Sequence, residues 1–303
     1  MKQIFATLIL LLAIGCQSTP KPPQQVDAGT IDYYPQFASQ HFAPHDVLVW
    51  LPEGYNPKER YAVLYMHDGQ MLFDKRTSWN GQSWNVDAVA QALISADKVR
   101  PFIVVGIDND SERRLYEYVP RRVLDFVPAD DTLLARYNKD EFVSDNYLRF
   151  LVEELKPFID SHYATLPEAT HTAICGSSAG GLISLYAILE YPEVFGAAAC
   201  LSTHTPMALD NIAEEAPVWS KALRDYIETK LPEAAGVKIY MDCGDQTLDA
   251  LYPPYQAQVD SLFGAHGWDA AHYMSRFYAG HAHDEDSWES RLDIPLCWIY
   301  GRE

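Results

Sequence analysis

Positive charge is scarce in this 303-residue chain: 23 Lys and Arg face 42 Asp and Glu, a formal net charge of −19. So acidic a surface repels phosphates, which argues against a nucleic-acid partner and against adsorption to an anionic bilayer. Cysteine is sparse as well. Five widely spaced residues do not make a disulfide-stapled scaffold. Repeats and low-complexity tracts are also missing. A hydrophobic fraction of 48% is instead ample for a packed core. The length suits one large domain or two small ones.

The longest apolar run, Ile4 to Gly15, covers 12 residues and follows Lys2. A bilayer-spanning helix needs roughly 20, so the run reads as a sorting signal. It ends in Leu12-Ala13-Ile14-Gly15-Cys16, which resembles a bacterial lipoprotein signal. There the thiol of the first mature residue, here Cys16, takes a lipid. Ala13 departs from the more usual Leu. The competing reading is an ordinary secretory signal with a chance cysteine. Residues 1–15 are thus expected to be cleaved. Residues 16–29, polar and proline-rich, predict a tether that does not pack. The lipoprotein resemblance implies export, with membrane contact through the lipid only. Gln17 in place of Asp implies sorting to the outer membrane.

From residue 30 onward, strand and helix patterns alternate. His45–Leu51, Tyr61–Met66 and Phe102–Ile107 are short, β-branched and aromatic, as are 170–175, 197–201, 237–241 and 271–278. They predict strands. Apolar residues at helical spacing predict helices over 86–94 and 147–159, with further helices over 179–190, 218–230 and 254–266. This alternation implies an α/β domain over 30–303, with a largely parallel sheet and helices on both faces. Residues 109–141 form a long polar stretch, the kind of loop that is usually functional or mobile.

Gly176-Ser177-Ser178-Ala179-Gly180 is a Gly-x-Ser-x-Gly motif between a predicted strand and a predicted helix. That is the context of a nucleophile elbow, in which Ser178 stands clear of the sheet. A serine hydroxyl needs a base. The candidates follow the last strand: His281 and His283, in Gly280-His-Ala-His-Asp-Glu-Asp286. His266 and His272 read as solvent or packing residues, and His67 as part of an oxyanion loop. A zinc site in the 280–286 cluster is the competing reading. No second ligand cluster supports it, and no metal or cofactor is expected. The acid should follow the penultimate strand, where Asp242, Asp245 and Asp249 stand.

Several segments together carry a resemblance. They are Trp50-Leu-Pro-Glu-Gly-Tyr55, Val63-Leu-Tyr-Met-His-Asp-Gly-Gln70, Gly106-Ile-Asp-Asn109, Glu117-Tyr-Val-Pro120, Gly176–Gly181, Tyr191-Pro-Glu-Val-Phe-Gly196 and His283-x4-Trp288. In that order they resemble the esterase family of α/β-hydrolases. It includes feruloyl and acetyl xylan esterases, siderophore esterases, S-formylglutathione hydrolases and mycolyltransferases. The resemblance implies the α/β-hydrolase fold and a serine ester hydrolase acting on small-molecule or carbohydrate-linked esters. It makes His283, five residues before Trp288, the base in preference to His281. The acid loop departs from the family, since Thr247 stands where many members carry the carboxylate. Asp249 is the preferred acid, with Asp245 as the alternative. The oxyanion donors are expected at the N–H groups of Ala179 and Gln70. Arg113, Arg114, Tyr116 and Tyr118 are pocket candidates, beyond a strand end that should face the site. Trp79 and Trp84 could stack on a sugar or aryl group or pack in the core. Trp288 should pack beneath the base. Cys175, Cys200, Cys243 and Cys297 read as apolar fillers. An acyltransferase, an inactive binding lipoprotein and a metallohydrolase are the competing functions.

Overall fold

The computed structural model describes residues 24–129, 131–231 and 236–302. Cys16 and the signal run lie outside the described residues. Eight strands form one sheet: β1 (Thr30–Phe37), β2 (His45–Leu51), β3 (Ala62–His67), β4 (Phe102–Ile107), β5 (Thr172–Ser177), β6 (Ala197–Leu201), β7 (Lys238–Cys243) and β8 (Tyr273–Phe277). Their order is β1-β2-β4-β3-β5-β6-β7-β8. β1 pairs antiparallel with β2, and β2 antiparallel with β4. The other pairs are parallel.

The α-helices are α1 (Val86–Ser95), α2 (Arg114–Tyr118), α3 (Ser144–Arg149), α4 (Lys156–His162), α5 (Ala179–Glu190), α6 (Ile212–Lys230), α7 (Pro253–Ala265), α8 (Glu285–Glu289) and α9 (Asp293–Tyr300). A π-helical turn, Phe150–Leu155, joins α3 to α4. Strand side chains alternate between two cores. Ile103 and Val105 of β4 meet α3 to α7 on one face. Phe102 and Val104 meet α1, α8 and α9 on the other. This is the α/β-hydrolase architecture that the sequence implied.

Two differences from the sequence reading stand out. The long loop is not wholly irregular: α2 and three 3-10 turns, at Arg121–Phe126, Leu134–Arg136 and Lys139–Glu141, punctuate it. The end of the expected tether does pack. Asp87, 2% exposed, accepts the backbone N–H groups of Asp27 and Ala28 at 2.6 and 3.2 Å. The Trp50 indole N–H donates to the Ala28 carbonyl at 2.8 Å. A polar segment packs here because buried acceptors and a donor wait for its backbone.

Candidate active site

The C-terminal ends of the parallel strands converge on one edge of the sheet, where open α/β sheets build their sites. Ser178 follows β5 and opens α5, with φ 58° and ψ −122°. Its backbone is pinned from both sides: its N–H donates to the Leu201 carbonyl at 3.0 Å, and its carbonyl accepts from His204 N–H at 3.1 Å. The turn is tight. A Cβ at Gly176 would lie 2.7 Å from the Gly180 carbonyl oxygen. Ala179 is the first residue of α5, so its N–H lacks an intrahelical acceptor.

The loop after β8 brings His283 back to the turn that follows β7. The His283 Nδ1–H donates to Asp249 Oδ1 at 2.6 Å. Asp249 is fully buried in a 3-10 turn, Thr247–Leu251. Its other oxygen accepts from Gly244 N–H and the Ser202 hydroxyl, both at 2.6 Å. The His283 N–H donates to Thr247 Oγ1 at 2.8 Å. Trp288 meets the imidazole edge to face at 5.1 Å, and Trp84 packs against Trp288 at 5.4 Å. Asp245 points elsewhere, accepting from Gly280 N–H at 2.7 Å. His281 packs on Tyr278 at 5.3 Å. Asp242 is buried against Arg291, whose Nη2 donates to it at 2.9 Å.

Across the cavity, Asp68 (φ 59°) starts a 3-10 turn, Gly69–Met71. Arg114 grips the Asp68 carboxylate at two points, Nε to Oδ1 and Nη2 to Oδ2, each 2.7 Å. The Asn109 amide also donates to Asp68. Asn109 N–H donates to Gln70 Oε1 at 3.2 Å. These bonds tie Arg114 to the turn that presents Gln70 N–H. Burial opposes charge on Asp68, but the Arg114 guanidinium outweighs it and holds the carboxyl below its usual range. Burial pushes His67, at the end of β3, down to about 3, against the pull of Asp68.

A cavity of about 560 Å³ joins these parts, with Ser178, His283, Gln70, Arg114, Trp79 and Trp84 in its wall. Trp79 is 84% exposed and Trp84 is 2% exposed. Of the pocket candidates, Arg114 alone reaches this cavity. Arg113 is a correction: it is exposed and donates to the Glu141 carbonyl at 3.4 Å. Tyr118 is a second, buried beneath Arg114 at 5.2 Å from guanidinium to ring centre. Tyr116 instead packs on Phe142 at 5.2 Å. α2 turns successive side chains to different faces, so neighbours in the chain part company. Cys175, Cys200, Cys243 and Cys297 are free thiols.

Sequence reasoning missed two residues beside the triad. The Tyr252 ring meets the His283 imidazole edge to face at 5.4 Å, and its hydroxyl donates to His204 Nδ1 at 2.6 Å. The His204 Nε2–H donates to the Ala208 carbonyl at 2.7 Å, and burial holds this imidazole down to about 4. Ser202 was missed as well. Both Ser202 and His204 follow the end of β6, so attention to every strand end could have flagged them.

An eight-stranded, mostly parallel sheet with a strand–serine–helix elbow at its C-terminal edge defines an α/β-hydrolase. The chain belongs to the family described as "Putative esterase", which matches residues 43–296. It is 27% identical over 207 residues to an endo-1,4-beta-xylanase/feruloyl esterase of Xylanibacter ruminicola, covering 65% of this chain and 22% of that protein. It is 26% identical over 168 residues to the uncharacterized protein YjcH of Bacillus subtilis, covering 55% of this chain and 59% of that one. The chain thus spans less than two thirds of the length of these relatives. Among solved structures it is similar to a ferulic acid esterase, at TM-score 0.65 and 18% identity over 89% of this chain and 98% of that one. It is also similar to the Shigella flexneri enterobactin esterase, at TM-score 0.64 and 20% identity over 91% of this chain and 60% of that one. At these identities the likeness is one of fold.

Proposed function

We propose that this chain is a serine carboxylic-ester hydrolase using Ser178, His283 and Asp249. The observation that carries the reading is the His283–Asp249 bond of 2.6 Å in the same cavity wall as the elbow serine. Ser178 Oγ attacks the ester carbonyl and His283 Nε2 takes its proton. The buried Asp249 carboxylate holds the Nδ1–H tautomer and balances the imidazolium. The N–H groups of Ala179 and Gln70 receive the oxyanion, each donor lowering the barrier by about 3–4 kcal/mol. The C–O bond to the leaving alcohol then breaks, and His283 returns the proton to that alcohol. Water, activated by the same imidazole, releases the acid from Ser178.

Aryl or carbohydrate-linked esters suit the cavity, because the exposed Trp79 stands in its wall and aromatic faces stack on rings. The likeness to a xylanase/feruloyl esterase and to a ferulic acid esterase supports that class. The test is a series of p-nitrophenyl esters run beside feruloyl and acetylated-sugar esters. Wild-type turnover should fall at least about a thousandfold in Ser178→Ala; activity within tenfold of wild type would overturn the assignment.

We also infer that Cys16 carries a lipid that anchors the exported enzyme, at the outer membrane. Support comes from the apolar run that ends at Cys16. Cys16→Ser should move the protein from the membrane fraction to the soluble one with unchanged kinetics. Continued membrane partition would contradict it.

A further inference from the structure

Ser202 carries more hydrogen bonds than a structural serine needs. It directly follows β6, is fully buried, and holds a left-handed φ of 40°, which a non-glycine residue adopts at a cost. Three side chains meet its Oγ. The Trp288 indole N–H donates to it at 2.9 Å. Arg291 Nη2 donates to it at 2.8 Å. Asp249 Oδ2 lies 2.6 Å away. Indole and guanidinium can only donate, and a hydroxyl has two acceptor sites and one proton. Both acceptor sites are therefore taken, and the proton has one direction left, toward Asp249.

We propose that Ser202 is a positioning residue for the triad acid: its hydroxyl, locked by Trp288 and Arg291, donates to Asp249 and passes the influence of the buried guanidinium to that carboxylate. This deepens the reading of Ser178, His283 and Asp249 given above and rests on it. Arg291 is 1% exposed and stands 3.9 Å from Asp249 Oδ2, beyond direct hydrogen bonding. Its Nη2 also donates to Asp242 Oδ1 at 2.9 Å, and its plane lies 4.8 Å from the Tyr278 ring centre. Its Nε and Nη1 find no acceptor among the described residues. Ser202 is thus the link between this cation and the acid. With Gly244 N–H it occupies Oδ2, which leaves Oδ1 to His283 Nδ1–H.

A carboxylate stripped of one donor becomes a stronger base and grips an imidazolium more tightly. The neutral imidazole that the reaction needs then appears at higher pH. Other ionisable groups share this neighbourhood. Asp242 and Cys243 lie on β7, and both titrate upward chiefly through burial. Tyr252 and His204 lie on the serine side. Asp284 and Glu285 follow His283, and Arg114 faces it across the cavity. All of these persist when Ser202 alone is changed, so a movement of the acid limb isolates the Ser202 bond.

The experiment is the pH dependence of kcat/KM for wild type, Ser202→Ala and Ser202→Gly, with circular dichroism as the check on folding. Glycine accepts the φ of 40° and covers a failure of the alanine variant to fold. The expected result is a kcat/KM at least about tenfold lower, carried by kcat rather than KM. The midpoint of the acid limb should move upward by about half a pH unit or more. An acid limb superimposable on wild type, at any rate, overturns the proposal and leaves Ser202 a packing residue. Ser178→Ala separates the two readings: if that variant stays active, the triad itself has failed, whereas an inactive Ser178→Ala with an unmoved Ser202 limb fails this inference alone.

Discussion

His283 Nδ1 and Asp249 Oδ1 lie 2.6 Å apart across 34 residues of chain. The contact exists because two loops from neighbouring strands interlock. Gly244, just after β7, comes so close to the loop after β8 that a Cβ there would sit 2.2 Å from the His281 carbonyl oxygen. His281 contributes that carbonyl, which accepts from Asp245 and Gln246 N–H at 3.2 and 3.0 Å, while His283 contributes its ring.

The first prediction separates the two histidines and the two carboxylates. Asp249→Asn and His283→Ala should each lower kcat by at least about a thousandfold, since an amide cannot hold the reactive tautomer. Asp245→Asn and His281→Ala should remain within about tenfold of wild type. Steady-state kinetics of the four variants decide it, and greater damage from Asp245→Asn would reassign the acid.

The second concerns the Gln70 turn. Arg114→Met strips Asp68 of its partner, and breaking a largely buried ion pair costs about 3 kcal/mol or more. The turn should also lose the two-point grip of Arg114 on Asp68, with kcat falling about tenfold or more. The sign of the pH dependence follows from the lowered carboxyl of Asp68. Its contribution is present above the unfolded carboxyl range and is lost as pH falls through the folded value. Wild type and Arg114→Met should therefore converge in stability in strong acid. Denaturant unfolding from pH 7 downward measures this, and a constant gap would contradict it.

A third concerns buried imidazoles. His67 and His204 titrate near 3 and 4 against an ordinary 6.5. Below pH 6.5 the unfolded chain takes up protons that the folded chain refuses, so stability falls as pH is lowered. The loss should reach about 2–3 kcal/mol per histidine by pH 4.5. His204→Gln should flatten the pH dependence of unfolding over that range. An unchanged slope would show that His204 is not held neutral.

A fourth tests the packed end of the tether. A chain beginning at Thr30 leaves Asp87 without the Asp27 and Ala28 N–H groups. It also removes the Gln24 Nε2 donor, 3.2 Å from the Gly69 carbonyl, which keeps only the Leu72 N–H at 3.3 Å. Unpaired buried acceptors cost about 1–3 kcal/mol each, so Tm should drop by several degrees. An unchanged Tm would mark residues 24–29 as a passive spacer.

Legibility in the sequence followed the range of each interaction. Ser178 was readable because an elbow is a local pattern of small residues. The inner strands were readable because burial on both faces favours a continuous apolar run, as in Phe102–Ile107. β1 was not readable. It is an edge strand with mixed exposure, and only its pairing with β2 makes it a strand. Tyr118 misled because the facing of a five-residue helix depends on its docking, and Arg113 because the residue before that helix turns toward the Glu141 carbonyl. Ser202 was invisible for a related reason: its partners Asp249, Trp288 and Arg291 lie 47, 86 and 89 residues away.

The most direct measurement is the site of covalent capture. Protein treated with a fluorophosphonate, digested and weighed by mass spectrometry should carry one adduct, on the peptide containing Ser178. Ester hydrolysis should disappear in step with labelling, and Ser178→Ala should take up no reagent. Labelling at another residue, or hydrolysis that survives full modification of Ser178, would contradict the serine mechanism.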